Sequence, residues 1–213
     1  MFLINQVTPT EAHEALMAVT GMMASGVKRV VYLSVFDADR AAWLPHFGAK
    51  AGVEEAIKQS GIPFTILRPN NFHQNVYWYK DALLLQGVYP QPIGDVGVSS
   101  VDVRDIAEAA AIALTTSANE GRTYDLVGPQ PLTGKGVAQV LGRALGRPIT
   151  YAGNDLDAYE KAALTYMPDW LAFDARHMYR YFQEHGFTGS SEAVATETAA
   201  AWLGTEASAE CMA

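Results

Sequence analysis

Phe64-Thr65-Ile66-Leu67-Arg68-Pro69 is a β-prone run that ends on a residue no interior strand continues through. Val30-Val31-Tyr32-Leu33-Ser34 upstream and Thr123-Tyr124-Asp125-Leu126-Val127 downstream have the same character. Between the first two, Phe47 to Ser60 reads as a helix stopped by Gly61. Strands nearly continuous in apolar residues, alternating with helices, predict a parallel sheet covered on both faces. The chain is therefore α/β.

The pattern extends outward on both sides. Phe2-Leu3-Ile4 reads as a short buried strand. Thr8-Pro9-Thr10-Glu11 then reads as a helix start, with Thr8 as cap, Pro9 in first position and Glu11 closing a capping box. Ala12, Leu16, Val19 and Met23 recur at helical spacing, and Gly26 ends that helix. Val101 to Thr116 predicts another helix, capped by Asp102, with Ile106, Ala109, Ala110, Ala113 and Leu114 on one stripe. Thr133 to Leu145, Asp155 to Tyr166 and Pro168 to Glu184 read as further helices, with Arg147 to Tyr151 extended. A last helix is expected over Ser190 to Leu203. This divides the chain into a sheet-bearing region, 1–130, and a mainly helical region, 131–213.

Composition excludes several classes. Apolar residues make up 49% and charged residues 18% of 213, as in ordinary globular proteins. The net charge is −8, from 15 Lys+Arg against 23 Asp+Glu, which disfavours nucleic acid as a partner. The single cysteine, Cys211, can form no internal disulfide and fits a reducing cytoplasm. No cysteine–histidine group has metal-ligand spacing, and no apolar run is long enough to span a membrane. Gly134-Lys135-Gly136 falls short of a phosphate loop, because Gly128 is one residue too distant and Gly136 stands where a hydroxyl is needed.

Several segments together resemble the NmrA-like branch of the atypical short-chain dehydrogenase/reductase superfamily. They are Gly26 to Ser34, Lys50 with Glu54 and Glu55, Ser60 to Pro69, Asn71-Phe72 with Asn75, Val101 to Ala107, Tyr124 to Gly128, and Leu145 to Pro148. The resemblance implies a partial Rossmann-type parallel sheet flanked by helices, with residues 1–130 as a truncated NAD(P)-binding region and 131–213 as a mainly helical substrate side. It places Met1 at the family's fourth strand. The earlier units, one of them carrying the glycine-rich turn that cradles a pyrophosphate, would lie before it. No G-x-G-x-x-G stands between a strand and a helix in these residues.

The resemblance also assigns a site. In the wider superfamily a hydroxyl residue, a tyrosine and a lysine four positions later transfer a proton, and residues at i and i+4 share one helix face. Ser34 matches the hydroxyl and Lys50 the lysine, which would also meet the nicotinamide ribose; His46 occupies the tyrosine's position. An imidazole gives or takes a proton near neutral pH. Pro69, Asn70, Asn71 and Phe72 follow a strand's carboxyl end, where open α/β sheets bind ligands, and would flank the nicotinamide. Asn5 and Gln6 follow the first strand at the same edge and would meet the ribose or diphosphate. The neighbouring His73, Tyr77, Trp78 and Tyr79 read as pocket wall or plain core. No metal is expected.

The implied function is reduction of a small carbonyl or quinone by NADPH or NADH, weakened by the missing pyrophosphate contacts. The alternative is a non-catalytic, redox-sensing regulator. An exposed apolar edge at Phe2–Ile4 would favour pairing with a second copy.

Overall fold

The computed structural model describes residues 1–189. The expected Ser190–Leu203 helix and Cys211 lie outside them. In chain order the elements are β1 (Phe2–Leu3), α1 (Glu11–Ala24), β2 (Val30–Leu33), α2 (Pro45–Gln59) and β3 (Phe64–Pro69). A 3-10 turn (His73–Tyr79) and a π turn (Ala82–Gln86) lead to β4 (Val88–Tyr89). Then come α3 (Val103–Thr115), β5 (Arg122–Leu126), α4 (Gly134–Ala144), β6 (Thr150–Tyr151), α5 (Leu156–Ala163) and α6 (Asp169–His185). Two compact units result: Met1–Asn70 with Val103–Leu126, and Asn71–Asp102 with the described residues 127–189.

The first unit is an all-parallel sheet in the order β1-β2-β3-β5. Leu33 stands opposite Leu67, and Pro69 opposite Leu126. Alternation along the strands sends Val30, Tyr32 and Ile66 to one face, where they meet Ala15, Val19 and Met22 of α1 and Val53 and Ile57 of α2. α3 packs along β2 and β3 through a buried stripe of Ile106, Ala110 and Ala113. Arg29 fixes the end of α3 by donating to the carbonyls of Leu114 at 3.3 Å and Thr116 at 2.7 Å. That satisfies acceptors the helix cannot bond internally.

Three local expectations are corrected. The strand at the N-terminus is Phe2–Leu3, half-buried, and Ile4 is exposed. Val101 is extended, bridging Phe72, so α3 starts after Asp102. The largest correction is in α1. Its cap position is Thr10, not Thr8, and its buried face is Glu11, Ala15, Val19 and Met22. Leu16 and Met23, expected inside, are 41% and 52% exposed. The helix is turned so that Glu11 points inward, and apolar periodicity cannot register a buried carboxylate.

The second unit holds the short parallel pair β4–β6 and packs α5 against α6. Its core is aromatic: Tyr79, Tyr89, Tyr151, Tyr159, Tyr179 and Phe182 contact one another largely edge to face. Gln91 accepts from the Tyr89 hydroxyl at 2.7 Å and donates to that of Tyr179 at 3.1 Å, which also pairs with the Tyr79 hydroxyl at 3.3 Å, so these phenols are satisfied within the core. Gly134-Lys135-Gly136 forms the first turn of α4, and Thr133 caps it by accepting from Gly136 N–H at 3.1 Å.

Two glycines of α2 carry opposite expectations. A Cβ on Gly48 would lie 2.3 Å from the Ala42 carbonyl oxygen, whereas one on Gly52 would meet nothing within 4 Å. Gly48→Ala is expected to cost about 1–3 kcal/mol. Gly52→Ala, in an exposed helix interior, should stabilise by about 0.5–1 kcal/mol. Denaturant titration of the two variants checks both signs.

Candidate active site

Parallel strands deliver their carboxyl ends to one edge of the sheet. In the first unit that edge carries Asn5 after β1, Ser34 after β2, and Pro69 and Asn70 at the end of β3. α2 begins with Pro45 in its first turn, which presets the helical backbone without wasting an N–H. His46, Lys50 and Glu54 then follow at four-residue intervals and share one face.

Glu11 organises the upper part of this face. It is 3% exposed and divides its two oxygens among three partners. Oε1 accepts from Asn5 Nδ2 at 2.8 Å and faces Lys50 Nζ at 3.1 Å; Oε2 lies 2.9 Å from His46 Nδ1. Lys50 also donates to the Asn5 carbonyl at 3.2 Å and Asn5 Oδ1 at 3.1 Å, so three acceptors meet its three N–H groups. Its ammonium lies 5.6 Å from the centre of the Tyr32 ring, within cation–π range. His46 is 18% exposed along its side chain, and its Nε2 forms no hydrogen bond among the described residues.

The charges are mutually dependent. Burial alone would push the Glu11 carboxyl up; the His46 hydrogen bond and charge, with the Lys50 ammonium, outweigh it and hold the group below its ordinary 4.5. Burial pulls Lys50 down, and Glu11 partly restores it. Burial pushes the Tyr32 phenol far up, and the Glu11 and Glu54 charges add to that. The Tyr32 hydroxyl is buried without a hydrogen-bond partner among the described residues.

The lower part of the face centres on Glu54, 1% exposed. It accepts from Ser34 Oγ at 2.5 Å and takes a two-pronged contact from Arg68, Nε at 2.8 Å and Nη2 at 2.7 Å. Such paired contacts are the strong form of an arginine–carboxylate bond. Arg68 Nη1 reaches Asp39 at 3.1 Å. Burial would lower the guanidinium's proton affinity, but Glu54 and Asp39 reverse that.

The residues singled out from sequence therefore separate. Asn5, His46 and Lys50 meet at Glu11; Ser34 is tied to Glu54 and Arg68. Gln6 is exposed. Pro69 and Asn70 serve the strand end: the Pro69 carbonyl accepts from Phe36 N–H and Asn70 N–H donates to Leu126, both at 2.9 Å. Asn71 and Phe72 belong to the second unit, where Asn71 donates to Ser100 Oγ at 3.1 Å and accepts from Asn75 at 2.9 Å. There His73 is half-buried, and loss of water lowers its pKa against the opposing charge of Asp102.

Sequence reasoning missed Glu11 and did not foresee what Glu54 and Tyr32 do. Glu54 carried a signal, with Lys50 and Lys58 four residues to either side. Glu11 carried none, because its partner His46 lies 35 residues away.

A family model of the NmrA-like family matches residues 5–210, and the chain belongs to that family. It is 30% identical over 181 residues to the NAD(P)H azoreductase of Xenophilus azovorans, covering 84% of this chain and 63% of that protein. It is 32% identical over 175 residues to (4-alkanoyl-5-oxo-2,5-dihydrofuran-3-yl)methyl phosphate reductase of Streptomyces griseus, covering 81% and 61%. The chain thus spans about three fifths of these relatives' length. In structure it resembles the NADPH-dependent quinone oxidoreductase of Escherichia coli solved with NADPH. The TM-score is 0.81 at 24% identity, over 94% of this chain and 75% of that one. Triphenylmethane reductase of Citrobacter sp. gives 0.78 at 22%, over 91% and 69%. These likenesses establish the Rossmann-like fold. No described helix is long and apolar enough to cross a membrane.

The Glu11 shift has a testable sign. A carboxyl held below 4.5 in the folded state contributes stability that is complete above that pH and lost as pH falls through its lowered value. Between about pH 5 and pH 3, unfolding free energy of the wild type should fall more steeply than that of Glu11→Gln. Parallel curves from denaturant titrations would contradict this.

Proposed function

We propose that the chain is the sheet-edge and substrate-side part of a NAD(P)H-dependent reductase acting on a quinone or small carbonyl, with His46 as proton donor. The observation that carries this reading is His46 itself. It stands at the ligand-binding edge of a parallel sheet, braced by a buried carboxylate, and its second ring nitrogen makes no bond among the described residues. The names of the relatives support the class of chemistry, since they include an NAD(P)H azoreductase and quinone oxidoreductase 2 of Escherichia coli.

The fit of a nicotinamide cofactor is partial. The turn after β1, Asn5 to Thr10, contains no glycine, and Pro9 lacks an N–H, so a pyrophosphate finds no backbone cradle there. Asn5, His46 and the strand-end residues Pro69 and Asn70 suit the smaller ribose–nicotinamide end, and Asn71 and Phe72 are assigned there by the family pattern alone. Lys50 already uses its three donors, so its contribution is to hold Asn5 and Glu11 for that contact. Ser34 supports α2 through Glu54 in the same way.

When bound, a dihydronicotinamide supplies a hydride to the carbonyl carbon or quinone ring. Imidazolium His46 gives its Nε2 proton to the oxygen that becomes negative. The carbonyl then ends as an alcohol, and neutral His46 keeps its Nδ1 proton on Glu11. Partial exposure of the ring lets solvent return the lost proton. The reading extends to β1, whose outer edge would be covered by a second copy.

Oxidation of NADPH by a quinone and small-carbonyl panel tests the proposal. Turnover is expected, read as loss of NADPH absorbance that depends on the added acceptor. His46→Ala should lower kcat for a carbonyl about 100-fold. Specific activity should rise with protein concentration if a second copy covers β1. Cofactor binding without turnover would favour the regulator instead.

A further inference from the structure

We propose that Glu11 is a positioning residue that fixes the His46 ring with its proton on Nδ1 and its lone pair on Nε2. This rests on His46 being the proton donor, and it adds what makes that histidine competent. An isolated neutral imidazole has two tautomers, and only the one protonated on Nδ1 presents a basic Nε2 that takes up a proton and passes it to a substrate. A carboxylate is acceptor-only, so the nitrogen that faces it must carry hydrogen. Glu11 Oε2 faces Nδ1 at 2.9 Å.

Three features make this carboxylate suited to the task. Its other oxygen is already engaged by Asn5 at 2.8 Å and Lys50 at 3.1 Å, so the group cannot rotate away from His46 without breaking both contacts. It is buried, so water does not compete for Oε2. It also stays ionised through neutral pH, because its partners outweigh the cost of burial. The groups facing the pair come from every element packed around it. They are Asn5 after β1, Tyr32 on β2, Lys50 one turn further along α2, and the edge of the Phe47 ring at 5.9 Å between centroids. Lys50 is the one other cation among them, and it is matched to Oε1.

In the reaction, the positive charge on His46 is stabilised by Glu11 before transfer. Afterwards the proton on Nδ1 remains in its hydrogen bond, so no reorganisation of the pair is needed. A carboxylate that only stapled α1 to α2 would leave the ring's tautomer and the kcat of folded protein unchanged when replaced by an isostere.

Nitrogen-15 NMR of histidine-labelled chain reads the tautomer directly, with the His46 signal assigned by its loss in His46→Gln. The expected result for neutral His46 in the wild type is Nδ1 protonated and Nε2 bare. An Nε2-protonated ring would overturn the proposal, and this measurement needs no Glu11 variant to fold. In the assay, Glu11→Gln should lower kcat for a carbonyl about tenfold, with KM little changed. Loss of folded protein at full activity per folded molecule would also overturn it. If the wild type turns over no substrate at all, the reductase reading falls, and the NMR result alone decides whether Glu11 sets the ring.

Discussion

One buried carboxylate holds the ligand-facing end of the sheet together. Glu11 binds the turn after β1 through Asn5, the first turn of α2 through His46, and its second turn through Lys50. Removing a charge from water is costly, and the cost is recovered only when every lone pair finds a good donor. Here the donors come from two separate stretches of chain, the turn after β1 and the first two turns of α2, so ionisation of Glu11 and correct docking of α1 against α2 depend on each other. A second buried carboxylate, Glu54, repeats the device lower on α2 and ties that helix to β2 and β3 through Ser34 and Arg68. The apolar cluster between α1, α2 and the sheet supplies bulk stability. The two carboxylates determine register and orientation at the edge.

The sheet was legible because its signals are local. Phe64 to Pro69 has the bounds expected of it, since a β-prone run followed by proline leaves little freedom. Val30 to Leu33 and the helix that starts near Phe47 were equally readable, and Gly61 marks the return to the sheet. α1 was legible as a helix and misread in its facing. Thr8-Pro9-Thr10-Glu11 satisfies a capping pattern in composition, yet the carboxylate that should have turned back to the helix start turns inward to an ammonium and an imidazole. Long-range charge pairing overrode a local preference worth about 1 kcal/mol.

The site was legible only in part, for the same reason. Family resemblance singled out His46 and Lys50, and their four-residue spacing puts them on one face of α2, as a property of one helix. What those side chains do depends on residues far away in sequence. Lys50 was expected to reach a ribose; its donors instead meet Asn5 and Glu11. Ser34 was expected near the chemistry; its hydroxyl instead donates to Glu54. Family resemblance singles out one edge of the sheet, and the distances in this chain show which groups there are already occupied.

A double-mutant cycle between Glu11 and Lys50 tests the central dependence most directly. Unfolding free energies of the wild type, Glu11→Gln, Lys50→Met and the double variant give the coupling between the two charges. If the carboxylate and the ammonium each make the other's burial tolerable, the double variant should be more stable than the sum of the single losses implies, by about 2 kcal/mol or more. Additive losses, to within about 0.3–0.5 kcal/mol, would contradict it.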